Sequence, residues 1–252
     1  MSEQESGDRP LQGRVILISG AGGGIGSVVA RAVAAAGAEC ILLSRSESSL
    51  NPVYDAIVSD GSPEPALFPL DFTRASTHDY QLVADGIDTD CGRLDGIIHL
   101  AARFDGLMPL SAHDIDDWRR IMHVNTTAAF ALTRVCLPLL QAAADAAVLF
   151  CVDRASPGKA FHGAYGASKA ALLSMTQMLA LEHARAANLR FNAIDPGPRT
   201  TALRKAAFPA DDPAARPPAE VAEQFVHCIG PATRGVTGRL FDADGNTSAL
   251  GV

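Results

Sequence analysis

The chain has 252 residues, 48% of them hydrophobic, enough to bury a sizeable core, and α/β folds of this size are often one domain. Its 21 basic and 28 acidic residues leave a net charge of −7, which argues against a nucleic-acid or anionic-membrane surface. Cys40, Cys91, Cys136, Cys151 and Cys228 are widely spaced, with no pair at metal-binding spacing, so reduced, buried thiols are expected.

The opening MSEQESGDRPLQG is acidic and polar and has neither a basic nor an apolar region. Residues 1–12 are therefore expected to form a flexible tail without an export signal, on a single domain over 13–252 in a cytoplasmic protein. The most apolar stretch, 170–181, is broken by Ser174, Thr176 and Gln177 and is too short to span a bilayer.

Short β-type runs follow at 14–19, 39–44, 66–70, 94–100, 147–152, 189–194 and 238–243. Helical segments are expected between them, at 25–36, 46–60, 74–90, 113–143, 163–187 and 218–229. Continuous apolar strands alternating with helices predict an α/β, Rossmann-type, doubly wound parallel sheet of about seven strands in three α/β/α layers. The helix over 163–187 is apolar on nearly all sides, which suits either a central core helix or a subunit interface. The proline-rich segment 196–218 is expected to be an irregular loop at the carboxyl edge of the sheet, where ligands bind, serving as a substrate lid.

The first strand runs directly into SGAGGGIG, Ser19 to Gly26, which opens a helix. Gly20, Gly24 and Gly26 let the backbone turn sharply, approach a pyrophosphate and pack helix on strand, while the helix N-terminus attracts the anion. After the second strand, Ser44–Arg45 stands where an acidic residue would bind the ribose 2′-hydroxyl of NAD. An arginine suits a 2′-phosphate, which favours NADP(H) over NAD(H).

Tyr165 and Lys169 are four residues apart and share one face of a helix. A tyrosine needs a neighbouring cation to act as an acid/base near neutrality, and the lysine supplies one.

The chain resembles the short-chain dehydrogenase/reductase family over essentially all of its length beyond the tail. The resemblance is carried by SGAGGGIG (with Ser19 for the family threonine and Ile25 within the motif), Asp71 after the third strand, Asn125 in HVN, YGASK, and Pro196–Gly197 with Thr201. The segments TALRKAAFPADDP and TGRLFDA look closest to the YciK-like subgroup of bacterial oxidoreductases.

The resemblance implies that Asp71 and Phe72 meet the adenine, Ala101 lines the cofactor cleft, and Thr201 holds the nicotinamide or its phosphates. It implies that Asn125 positions a relay water for Lys169. The activity implied is reversible hydride transfer to a small carbonyl or alcohol substrate, by a homodimer or homotetramer packed through the helices over 113–143 and 163–187.

Two departures stand out. The serine that donates to the substrate oxygen, about thirteen residues before the tyrosine, is here Val152, leaving Cys151, Asp153, Ser156 and His162 as candidate substitutes. The usual NNAG is His99-Leu100-Ala101-Ala102. A cofactor-binding sensor or scaffold that has lost efficient catalysis is the alternative.

Overall fold

The computed structural model describes residues 9–208, 210 and 213–250. Eight strands form one sheet in the order β3-β2-β1-β4-β5-β6-β7-β8: β1 Val15–Ser19, β2 Glu39–Ser44, β3 Ala66–Pro69, β4 Gly96–His99, β5 Ala146–Cys151, β6 Leu189–Asp195, β7 Arg239–Asp242 and β8 Thr247–Ala249. The first seven are parallel and β8 returns antiparallel on β7. The sequence predicts about seven strands; the eighth is a three-residue edge strand with every side chain exposed, so no apolar run marks it.

Alternating side chains of the strands feed two separate cores. Ile16 and Ile18 of β1 pack with Val29 and Val33 of α1 (Gly24–Ala35), Leu50 and Ile57 of α2 (Glu47–Ser59), and Phe225 and Ile229 of α8 (Ala222–Ile229). Val15 and Leu17 point the other way. They join Val83 and Ile87 of α3 (Thr77–Asp90), Leu132 and Leu140 of α5 (Ala128–Ala142), and Leu172 and Leu173 of α6 (Gly163–Glu182). The result is the three-layer Rossmann architecture, with its strand order reversing between β1 and β4, where such folds bind ligands.

The predicted helix over 113–143 is instead α4 (Ile115–Met122) and α5 joined by a π-helical turn, His123–Thr127. Asn125 sits in that turn with its side chain bonded to a neighbouring loop. The segment 196–218 is not wholly irregular, since it holds the short helix α7, Ala202–Ala207; Pro209 of the same segment lies outside the described residues. Helix α6 meets the core expectation through the buried Leu172 and Leu173, whereas Met178 and Leu181 on its other side are 52% and 66% exposed.

Residues 1–8 of the expected tail lie outside the described residues. Residues 9–12 correct the rest of that expectation, because Leu11 is fully buried and its N–H donates to Ala36 O at 2.9 Å. At the end of the sheet away from the glycine turn, buried Asp145 accepts from Arg14 at 2.8 Å and from Arg190, tying β1, β5 and β6 together. Burial raises the Asp145 carboxyl pKa, and bonds and charges from Arg14 and Arg190 outweigh it and hold the group ionised. Among the described residues no helix is long and apolar enough to cross a membrane.

Candidate active site

The glycine turn is shaped by close approach rather than by flexibility. Gly20 has φ +74°, and a Cβ there would lie 2.6 Å from the Ala101 backbone N; a Cβ on Gly26 would run into Gly20 O. A Cβ on Gly24 would meet Thr201 Cγ2 at 2.8 Å, so the glycine helix and the loop after β6 touch. Helix α1 starts at Gly24 with no side chain capping its first N–H groups. Ser19 is buried, and its Oγ accepts from Ala101 N at 3.5 Å. Open amide donors at a helix start, with no room for a Cβ at Gly20, Gly24 or Gly26, fit a dinucleotide pyrophosphate.

At the end of β2, Ser49 Oγ donates to Ser44 Oγ at 3.0 Å, and exposed Arg45 follows. Ser46, which spacing did not single out, is the N-cap of α2, yet its hydroxyl makes no cap bond. Asp71 Oδ1 accepts from Thr73 N at 2.9 Å and Thr73 Oγ1 at 2.8 Å. Burial raises the Asp71 pKa, but the Thr73 bonds and the charges of Arg45 and Arg74 outweigh it and leave it lowered. Phe72 corrects an expectation: its ring is buried in the core, 5.9 Å from that of Tyr80, so its side chain does not front the cleft.

One cavity of about 210 Å³ gathers Ile25, Val152, Asp153, Tyr165, Lys169, Pro196, Gly197 and Thr201, residues from opposite ends of the sequence. Tyr165 and Lys169 come one turn apart on α6. Lys169 Nζ donates to Cys151 O at 2.9 Å and lies 5.5 Å from the Tyr165 ring centroid.

The Tyr165 hydroxyl donates to Asp153 Oδ2 at 3.3 Å. Burial, then the charge of Asp153, pushes the tyrosine pKa well up, the reverse of the lowering by lysine that spacing suggests. Phe104 stacks on the tyrosine ring at 4.2 Å, and Phe208 meets Phe104 edge-on at 6.0 Å.

Asn125 Oδ1 accepts from Arg103 N at 2.7 Å, and its Nδ2 donates to Arg103 O at 3.0 Å and Ser168 Oγ at 2.9 Å. Its side chain thus braces the loop after β4 against α6, and none of these bonds goes to Lys169.

The candidate substitutes for the missing serine sort themselves by their bonds. Val152 is buried at the end of β5 and lines the cavity. Ser156 Oγ donates to Asp153 O at 3.0 Å. His162 spends its Nδ1–H on Ala160 O at 3.1 Å, leaving Nε2 an acceptor in the neutral ring. The Cys151 thiol is pushed up to about 11 by burial and is held protonated. Asp153 alone touches the tyrosine hydroxyl.

Asp195, at the end of β6, is a second carboxylate lining the cavity and was not singled out by spacing. It accepts from Gly197 N at 2.9 Å and Arg154 N at 3.1 Å, and burial raises its pKa.

His99 takes a structural place in the altered NNAG segment. Thr133 Oγ1 donates to Ala129 O at 2.8 Å, so it accepts from His99 Nε2–H at 2.9 Å. The ring stacks on Phe150 at 4.9 Å, and burial lowers its pKa to about 3.

The family model for short chain dehydrogenases matches residues 14–212. The oxidoreductase YciK of Escherichia coli K12 is 37% identical over 235 residues, covering 92% of each chain. Among solved structures, a short-chain dehydrogenase from Pseudomonas syringae superposes with TM-score 0.91 at 37% identity, over 96% of this chain and 99% of that one. A short-chain dehydrogenase from Shigella flexneri 2a, solved in complex with NADP, gives TM-score 0.89 at 36% identity, over 94% of this chain and 99% of that one.

Proposed function

The chain belongs to the short-chain dehydrogenase family, and from that premise we propose that it is an NADP(H)-dependent oxidoreductase acting on a small carbonyl or alcohol substrate. The observation that carries this reading is the meeting of Tyr165 and Lys169 with Ile25, Gly197 and Thr201 in one cavity at the glycine-turn end of the sheet.

When bound, the dinucleotide supplies or accepts the hydride. The open backbone amides at the start of α1, from Gly24 to Gly26, would hold its pyrophosphate, Asp71 the adenine amino group, and Ala101, Pro196, Gly197 and Thr201 the nicotinamide end. Arg45, with Ser44, Ser46 and the open start of α2, holds the 2′-phosphate. The NADP bound to the Shigella relative supports this choice, as does the absence of a carboxylate at the end of β2.

Tyr165 is the acid/base. Its raised pKa keeps the proton on the hydroxyl at neutral pH, the form that donates to a developing alkoxide. Lys169, fixed by Cys151 O, places a cation beside the ring. Asn125 is a positioning residue for the Arg103 loop and α6. The exposed Phe130, Met178 and Leu181 on α5 and α6 suit a homodimer or homotetramer.

The buried Val152 favours a second reading, a cofactor-binding sensor or scaffold, because no family hydroxyl stands there. Titration with NADPH and NADH, followed by NADPH oxidation against a panel of ketones and aldehydes, separates the two. Turnover above the no-substrate rate is expected; tight NADPH binding with no turnover on any substrate would favour the sensor.

A further inference from the structure

A ketone that receives hydride becomes an alkoxide, and a donor aimed at that oxygen is worth on the order of 10²–10³ in rate. Around the Tyr165 hydroxyl the charges run the other way. Val152 offers no proton, Asp153 Oδ2 lies 3.3 Å from the hydroxyl, and Asp195 brings a second, half-buried carboxylate to the same cavity. Lys169, 5.5 Å from the tyrosine ring centroid, donates to Cys151 O. Lys159, Arg199 and Arg204 also line the cavity; Arg199 is tied to Pro196 O and Glu220, and Arg204 lies 4.7 Å over the Phe208 ring.

The cavity as a whole carries more cations than carboxylates, but the charged group that meets the tyrosine hydroxyl is Asp153, an acceptor that disfavours an oxyanion and favours a cation at that spot. A protonated imine brings positive charge to its nitrogen and points an N–H at whatever acceptor faces it.

We propose that this pocket reduces a planar iminium, the protonated form of a cyclic C=N bond, in preference to a neutral ketone, with the Asp153 carboxylate accepting the substrate N–H. This rests on the hydride-transfer reading above and adds a further electrophile to it. In the step, hydride from the reduced nicotinamide forms a C–H bond at the iminium carbon. The C=N π pair becomes the nitrogen lone pair, and the products are a neutral amine and NADP⁺. No proton moves with the hydride and no negative charge develops. A neutral imine first takes a proton from solvent, and Asp153 favours that charged form.

The test compares 3,4-dihydroisoquinoline with 1-tetralone under NADPH, in the unmodified protein and in Asp153→Asn. Asparagine keeps an oxygen to accept from Ala155 N, as Asp153 Oδ1 does at 3.0 Å. A retained NADPH titration shows that the variant folds. The imine is expected to have at least a tenfold higher kcat/KM than the ketone, and Asp153→Asn to reduce that ratio at least tenfold. A second readout needs no turnover: tetrahydroisoquinolinium is expected to raise the Tm of the NADP⁺-bound protein more than 1-tetralol does, with the difference lost in Asp153→Asn. Ketone reduction equal to or faster than imine reduction overturns the iminium proposal and leaves hydride transfer standing. An imine advantage or a Tm difference that survives Asp153→Asn also overturns it. If protein that binds NADPH reduces neither probe and no ketone or aldehyde in the panel, both readings are overturned.

Discussion

Asp153 Oδ2 accepts the Tyr165 hydroxyl proton at 3.3 Å, so a carboxylate stands against the residue that is to deliver a proton to substrate. The contact sets the direction in which the tyrosine titrates. Burial and the nearby negative charge both disfavour the phenolate, and so the pKa rises.

It follows that reduction should change little with pH through neutrality and decline only on an alkaline limb. Asp153→Asn removes one negative charge beside the phenolate, which eases ionisation and moves that limb to lower pH. The pH profile of kcat for a ketone, measured in both proteins, checks this. A limb that stays put or moves up would show that Asp153 does not set the titration.

Cofactor choice rests on Arg45. NADPH is expected to bind at least tenfold more tightly than NADH, about 1.4 kcal/mol, and Arg45→Ala to remove most of that preference. Fluorescence titration of both cofactors reads it out; equal dissociation constants in the unmodified protein would refute it.

Val152→Ser returns a hydroxyl to the end of β5. An oxyanion donor is worth on the order of 10²–10³ in rate, so kcat for a generic ketone should rise at least tenfold while NADPH affinity holds. Val152 is buried, and losing its methyl groups should lower stability by about 1 kcal/mol. Steady-state kinetics with a urea melt measures both effects.

His99 links stability to pH. Its folded pKa is lowered to about 3 from an ordinary value near 6.5. Above about pH 6.5 neither folded nor unfolded chain protonates it; below that the unfolded chain gains the proton first, so stability falls as pH falls, at about 1.4 kcal/mol per unit. Urea melts between pH 7 and 5 should show this loss, with a shallower slope in His99→Asn.

The strand-turn-helix cofactor motif and the Tyr165–Lys169 pair were legible because their chemistry lies in local spacing. The seven parallel strands were legible too, as continuous apolar runs. What escaped depends on distant contacts. The bond from Tyr165 to Asp153 joins α6 to the loop after β5, and Phe104 reaches the tyrosine from the loop after β4. The π turn at Asn125 is set by bonds to Arg103 and Ser168, which no periodicity within the helix discloses. Phe72 read as cleft-facing from its place after Asp71, but packing on Tyr80 turns it into the core.

The central claim, that Tyr165 delivers the proton in NADPH-dependent reduction, is tested most directly by Tyr165→Phe. This change removes one oxygen and leaves the ring stacked against Phe104. NADPH affinity and turnover on the best carbonyl substrate should be measured side by side in this variant and in the unmodified protein. The account predicts unchanged NADPH affinity with turnover reduced by at least 10², the low end of general acid–base contributions of about 10²–10⁴. Turnover within a factor of about two of the unmodified protein, well short of those contributions, would contradict it.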